Sequence, residues 1–265
     1  MKHKIPRKIF ACVAGFLSLI SALSAEPVVQ WKKVFDGNED AEMRREQSSG
    51  PVVDHAAKTC LMASFGRRSL EDGQSLKMSG VIRIMDIEDR VGSGQWRFGL
   101  FDSSVEHSGV YAAIGTNGRK GGIYQQENAL GLDHPFTSQV QPNLRVGMVS
   151  SGPELSGNCR LFFAMEVKRV GETLRVKVSV KDEKTGEFLS TGTGEYMPRS
   201  FNFGMVGVLH GSSFGAMTAS YFDINVVSDG TLSSDPGARP VVEKERQVDA
   251  AILGVAGISL MLRDE

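Results

Sequence analysis

An all-β sandwich is the fold class this sequence predicts, and three stretches carry the prediction. In residues 173–180, Leu174, Val176, Val178 and Val180 alternate strictly with Arg175, Lys177 and Ser179. Just upstream, Leu161, Phe163, Met165 and Val167 alternate with Phe162, Ala164, Glu166 and Lys168. Period two is the mark of a strand with one buried face, and Gly171-Glu172 between the two runs is a hairpin signal. The third stretch is 201–227, where two apolar runs flank Ser212-Ser213-Phe214-Gly215 and are expected to be neighbouring strands that close a sheet.

The remaining elements follow in the same style. Residues 31–35 and 80–85 make short strands, and Trp96, Phe98 and Leu100 share one face of a strand at 95–102. Asn117-Gly118 and Gly121-Gly122 predict tight turns around 114–126, and a further turn falls at 181–186. No amphipathic helix of ordinary length interrupts 26–228. Many short strands with turns between them imply a sandwich or barrel.

The chain has 265 residues, and its first 25 have the form of an export signal. Lys2, Lys4, Arg7 and Lys8 precede an uncharged apolar run at 9–23, and Ala22 and Ser24 supply small side chains for cleavage beside Ala25. The run is shorter than the ~20 residues that span a bilayer. Removing 1–25 leaves 240 residues with 26 Lys and Arg against 31 Asp and Glu, a net charge of −5. That acidic balance argues against nucleic acid as a partner. Two cysteines remain, Cys60 and Cys159. In an oxidising compartment they are expected to pair, which on the chain-entropy account contributes ~4–5 kcal/mol.

At 228–240 the composition shifts to Ser, Asp, Gly and Pro, the signature of a linker after a sandwich at 26–227. The segment 241–265 ends in an apolar run at 248–262, too short for an ordinary membrane span, and membrane contact is expected through this segment alone if at all. It is expected either to dock on the sandwich as a helix or to act as a tail. Residues 250–263 resemble the hydrophobic end of PEP-CTERM sorting signals, although no Pro-Glu-Pro precedes them and Asp264-Glu265 follows a lone Arg263.

No serine elbow, phosphate loop or Cys-x-x-Cys is present, and His55, His107, His134 and His210 have no metal-type spacing. His210 lies in an apolar strand, where a hydrogen-bonded sheet residue is expected. Sugar binding requires aromatic faces with amides and charges beside them. Trp96, Tyr111 and Tyr124, with Arg97 and Gln125, form the candidate ligand-binding set, although Trp96 shares its face with core residues.

The 96–102 strand, the alternating strands at 161–180 and the 203–227 pattern resemble secreted bacterial domains of the concanavalin A-like lectin/glucanase class, including LamG-like modules. That resemblance implies a jelly roll of two antiparallel sheets and a non-catalytic module for polysaccharide or cell-envelope glycan, with polysaccharide lyase or glycoside hydrolase as the enzyme alternative. A glucanase of this fold needs paired carboxylates, and the nearest match, Asp86 and Glu88, has Ile84 where the first glutamate belongs. Lys120, Tyr124 and Gln126 resemble the Lys-x-Gly-x-Tyr-x-Gln strand of alginate lyases, with Glu42 and Arg44 as a faint match to a second lyase strand. Asp36, Asn38 and Asp40 place oxygen ligands at alternate positions, a spacing that suits calcium, and the jelly-roll resemblance adds Asp223 from the last strand.

Overall fold

The computed structural model describes residues 25–28, 30–36, 42–45, 50–54, 56–85, 95–103, 108–127, 135–136, 144–154, 158–211 and 217–232. The expected export signal before Ala25, Asn38, Asp40, Asp86, Glu88, the expected turn at 212–215 and the segment beyond Leu232 lie outside the described residues.

Every regular element among the described residues is a strand. In chain order they are β1 (Ala25–Pro27), β2 (Trp31–Asp36), β3 (Glu42–Arg45), β4 (Pro51–Asp54), β5 (Thr59–Ser69), β6 (Ser75–Met85), β7 (Gln95–Phe101) and β8 (Gly109–Gly115). Then come β9 (Lys120–Gln126), β10 (Leu144–Ser151), β11 (Cys159–Val170), β12 (Thr173–Asp182), β13 (Phe188–Tyr196), β14 (Asn202–His210), β15 (Thr218–Ser228) and β16 (Thr231–Leu232). The pairings are antiparallel throughout.

Alternation decides which side each strand buries. Along β12, Leu174, Val176, Val178 and Val180 are buried while Arg175 and Lys177 stay exposed. Across β7 the same rule sends Trp96, Phe98 and Leu100 into the main core. There the Phe163 ring of β11 meets Trp96 edge-on at 5.1 Å and Phe98 at 5.0 Å, so β7 and β11 lie face to face. The strands β5, β14, β7, β8, β9 and β10 form a front layer, and β13, β12, β11, β6, β15, β4 and β3 form a back layer. Between these strands the chain crosses layers at β4–β5, β5–β6, β6–β7, β10–β11, β13–β14 and β14–β15, a jelly-roll path.

Two expectations are refined here. The layers are hydrogen-bonded into one sheet, because β10 pairs with β13 through Gly147↔Gly194 and Val149↔Gly192. No side chain fits at Gly192 in that junction, since a Cβ there would stand 2.6 Å from the Met148 carbonyl oxygen. The runs at 202–210 and 218–228 are not sheet neighbours either. β14 pairs with β5 and β7, whereas β15 pairs with β6, β4 and β1, so the connection carries the chain across the sandwich.

The hairpin signals resolve in two ways. Asn117 and Gly118 both have positive φ (54° and 77°) and turn β8 into β9. Gly121 and Gly122 lie inside β9 instead, where their missing side chains make room for neighbours. Past residue 227 the chain stays on the sheet, with β16 paired to β5 at Ser69 and Arg68.

Candidate functional site

The outer side of the front layer carries a second, smaller cluster made of Cys60, Met62, Phe101, Tyr111, Ala113, Phe136 and Leu209. It arises from the other half of each alternating strand. While Val110, Ala112, Ile114 and Ile123 point into the main core, Arg97, Tyr111, Tyr124 and Gln126 point outward on adjacent strands.

Tyr111 and Tyr124 are register partners, and their rings stack at 5.3 Å with an interplanar angle of 19°. Glycines let the rings lie down on the sheet. A Cβ on Gly99 would meet the Tyr111 Cβ at 2.6 Å, and one on Gly122 would meet the Tyr124 ring at 2.9 Å. The Arg97 guanidinium sits over Tyr111 at 5.8 Å and donates to the Phe136 carbonyl at 2.9 Å. Phe136 in turn packs edge-on to Phe101 and Tyr111 at 5.2 and 5.3 Å. On the far side of Tyr124, the exposed Arg145 donates to the Gly121 carbonyl at 2.7 Å and lies across Gly122.

At the end of this row stands Gln126, 2% exposed, with both amide atoms lacking a hydrogen-bond partner. An orphaned buried amide costs ~1–3 kcal/mol, so a ligand or water that satisfies it regains that amount. The face therefore combines stacked phenols, a guanidinium and a waiting amide. That set suits a ligand with both apolar ring faces and hydroxyls.

Of the predicted ligand-binding set, Arg97, Tyr111 and Tyr124 come together here, and Trp96 and Gln125 do not. Trp96 is core, its indole N–H donating to the Tyr221 hydroxyl at 3.2 Å. Gln125 faces inward because it neighbours outward Tyr124, and its amide donates to the Glu127 carboxylate and the Met197 carbonyl. Gln126, Arg145 and Phe136 complete the site. Alternation from Tyr124 points to Gln126, but Arg145 and Phe136 enter only through tertiary register.

The lyase-like residues separate. Lys120 is exposed on the same face of β9 as Tyr124 and Gln126, whereas Glu42 and Arg44 sit on β3 at the far edge of the back layer. There Arg44 pairs with Asp54 at 2.6 Å.

The expected Cys60–Cys159 disulfide is absent, and both thiols are free. Cys60 is fully buried in the outer cluster of the front layer, while Cys159 lies beside the main core opposite Ile84. The body of the front layer stands between them. Burial pushes the Cys60 thiol well up and raises Cys159 to about 11. Alkylation in denaturant without a reductant is therefore expected to modify both cysteines; modification of neither would restore the bond.

Asp36 ends β2, and Asp223 is exposed at the β15 bulge between Phe222 and Asn225 with φ of +50°. Among the described residues no group of three His, Cys, Asp or Glu side chains could hold a metal ion.

His210 is held as a sheet residue. Its Nε2 lies 2.6 Å from the Tyr221 hydroxyl. Because the Trp96 indole can only donate, the Tyr221 oxygen accepts from it and sends its own proton to His210 Nε2.

No family model matches this chain, and no curated protein does. Solved structures similar to it include the basic winged bean lectin with Tn-antigen, 10% identical over 78% of this chain and 98% of that one, with a TM-score of 0.43. Peanut lectin is 12% identical over 79% of this chain and 100% of its own, with a TM-score of 0.44. The exoplasmic/lumenal domain of VIP36, in a form bound to Ca2+ and Man3GlcNAc, is 8% identical over 79% of this chain and 89% of its own, with a TM-score of 0.45.

Proposed function

We propose that this protein is an exported, non-catalytic carbohydrate-binding module that takes a polysaccharide or cell-envelope glycan on the outer face of its front layer. The observation that carries the reading is the Tyr111–Tyr124 stack ending at the unpartnered, buried Gln126 amide. Tyr124, partly exposed, is the ring a sugar would meet, the exposed Arg145 offers donors to the sugar's hydroxyls, and the Gln126 amide lies buried beneath them. Arg97 is a positioning residue, because its guanidinium holds Phe136 against Tyr111.

In this reading residues 1–25 direct export, 26–227 are the binding domain, 228–240 are a linker, and 241–265 dock or anchor. Calcium at Asp36, Asn38, Asp40 and Asp223 belongs to the same proposal, and a melting temperature unmoved by chelator would remove it.

Tyr124→Ala is expected to weaken binding to the best ligand on a glycan array about tenfold, the loss of ~1–2 kcal/mol typical of an aromatic anchor. Unchanged affinity would move the site elsewhere. The lyase alternative is checked in the same samples by ultraviolet absorbance of unsaturated sugar products. Turnover that disappears in Tyr124→Phe would make the protein an enzyme.

A further inference from the structure

On the opposite side of the molecule, the outer face of the back layer carries a groove of about 570 Å³ that runs across the strands. Its floor is one register row of small residues, Ala164, Ser179 and Thr191, on β11, β12 and β13. The neighbouring row supplies one wall, where Phe162 stands beside Lys181 and Lys181 lies 4.2 Å over the Phe188 ring. The other wall is Lys77, Glu166 and Lys177, and Met148 closes the groove at β10. Phe188 and Met148 are 59% and 52% exposed, unusual for apolar side chains on an otherwise polar face.

We propose that this groove is a second binding site and that its ligand is an acidic polysaccharide chain. Charge complementarity sets the sign of the ligand. Lys77, Lys168, Lys177 and Lys181 make no ion pair with any described residue, and Glu166 is the one carboxylate among the described residues lining the groove. Lys77 and Lys177 lie two strands apart, about 10 Å, so they can hold two anionic groups of one chain across the strands.

An extended ligand is indicated because the groove continues. A second hollow of about 470 Å³ shares Glu166 and Lys177 and adds Lys168, Arg169 and Arg175 against one further carboxylate, Asp72. The ladders on both sides of β11 and β12 are already paired, which leaves no backbone edge for a peptide strand. Recognition therefore falls to side chains: Phe162 and Phe188 for ring faces, Ser179, Thr191 and Thr193 for hydroxyls, and lysines for carboxylate or sulfate. A second copy of this face would set lysines against lysines.

The test is calorimetric titration of the full chain with polygalacturonate, heparin, neutral dextran and poly-glutamate. Polygalacturonate or heparin is expected to bind wild type and Tyr124→Ala alike and to weaken about tenfold or more in Lys77→Glu/Lys177→Glu. A tenfold loss corresponds to about 1.4 kcal/mol. Phe188→Ser is expected to weaken binding in the same direction and serves where the charge-reversed protein fails to fold. Failure of both acidic glycans to bind, or full affinity in variants with wild-type melting, would overturn the site. So would poly-glutamate or dextran binding as tightly as the acidic glycans. Loss of acidic-glycan binding in Tyr124→Ala would place it on the front face, and retained binding there separates this groove from the front-face reading.

Discussion

Phe163→Ala is expected to destabilise the protein by about 3–5 kcal/mol, a large part of the ~5–15 kcal/mol that holds a domain folded. The ring has no solvent exposure and joins the layers at their centre. It meets Trp96 at 5.1 Å, Phe98 at 5.0 Å and Tyr221 at 6.4 Å, the first and last edge-on. It also lies 3.1 Å from where a Cβ on Gly80 would stand, so the surrounding backbone is already close and the cavity cannot collapse inward. Conservative Phe163→Leu is expected to lose clearly less. Urea unfolding followed by tryptophan fluorescence measures both, since Trp96 reports on that contact. A loss below about 1 kcal/mol for Phe163→Ala would mean that the layers are not held together at this point.

Much of this architecture is legible in the sequence, for a local reason. Wherever one face of a strand is buried, the alternation of Leu174, Val176, Val178 and Val180 is imposed residue by residue. The same rule places Trp96 with Phe98 and Leu100 in the core and turns Arg97 outward. It also bears on Gln125, because adjacent strand residues cannot share a face and Tyr124 takes the outer one. Gln126, two residues from Tyr124, is the amide that alternation selects.

What the sequence leaves dark is non-local. Nothing between His210 and Thr218 tells a hairpin from a crossing, since both need a polar turn after an apolar run. The pairing of Cys60 and Cys159 depends on which layer each strand joins, and that is set by long-range register. Phe136 sits on a short turn with no periodic neighbours, and its place follows from long-range contacts with Arg97, Phe101 and Tyr111. The back-layer groove is likewise a property of rows across β6, β11, β12 and β13 and of no single strand.

Acid is expected to destabilise the fold through His210. Burial lowers its pKa from 6.5 to about 4, against a smaller upward pull from a hydrogen bond to the Thr59 backbone. Below pH 6.5 the unfolded chain takes up a proton at this histidine while the folded one does not, and this continues until about pH 4. Stability from this group is therefore complete above pH 6.5 and is lost as the pH falls, by about 3 kcal/mol in all. The geometry supports the direction. With Nε2 accepting from Tyr221, a proton placed there would set two donors against each other, in a site the hydroxyl cannot leave without releasing Trp96. Carboxylates titrate over part of the same range, so the measurement needs a reference. His210→Gln keeps an acceptor for Tyr221 and removes the titration. Between pH 7.5 and 4.5, wild type is expected to lose about 2–3 kcal/mol more than His210→Gln in urea unfolding. Equal losses in the two proteins would mean that His210 is free to take its proton in the folded state, and the Trp96–Tyr221–His210 chain would then have to be redrawn.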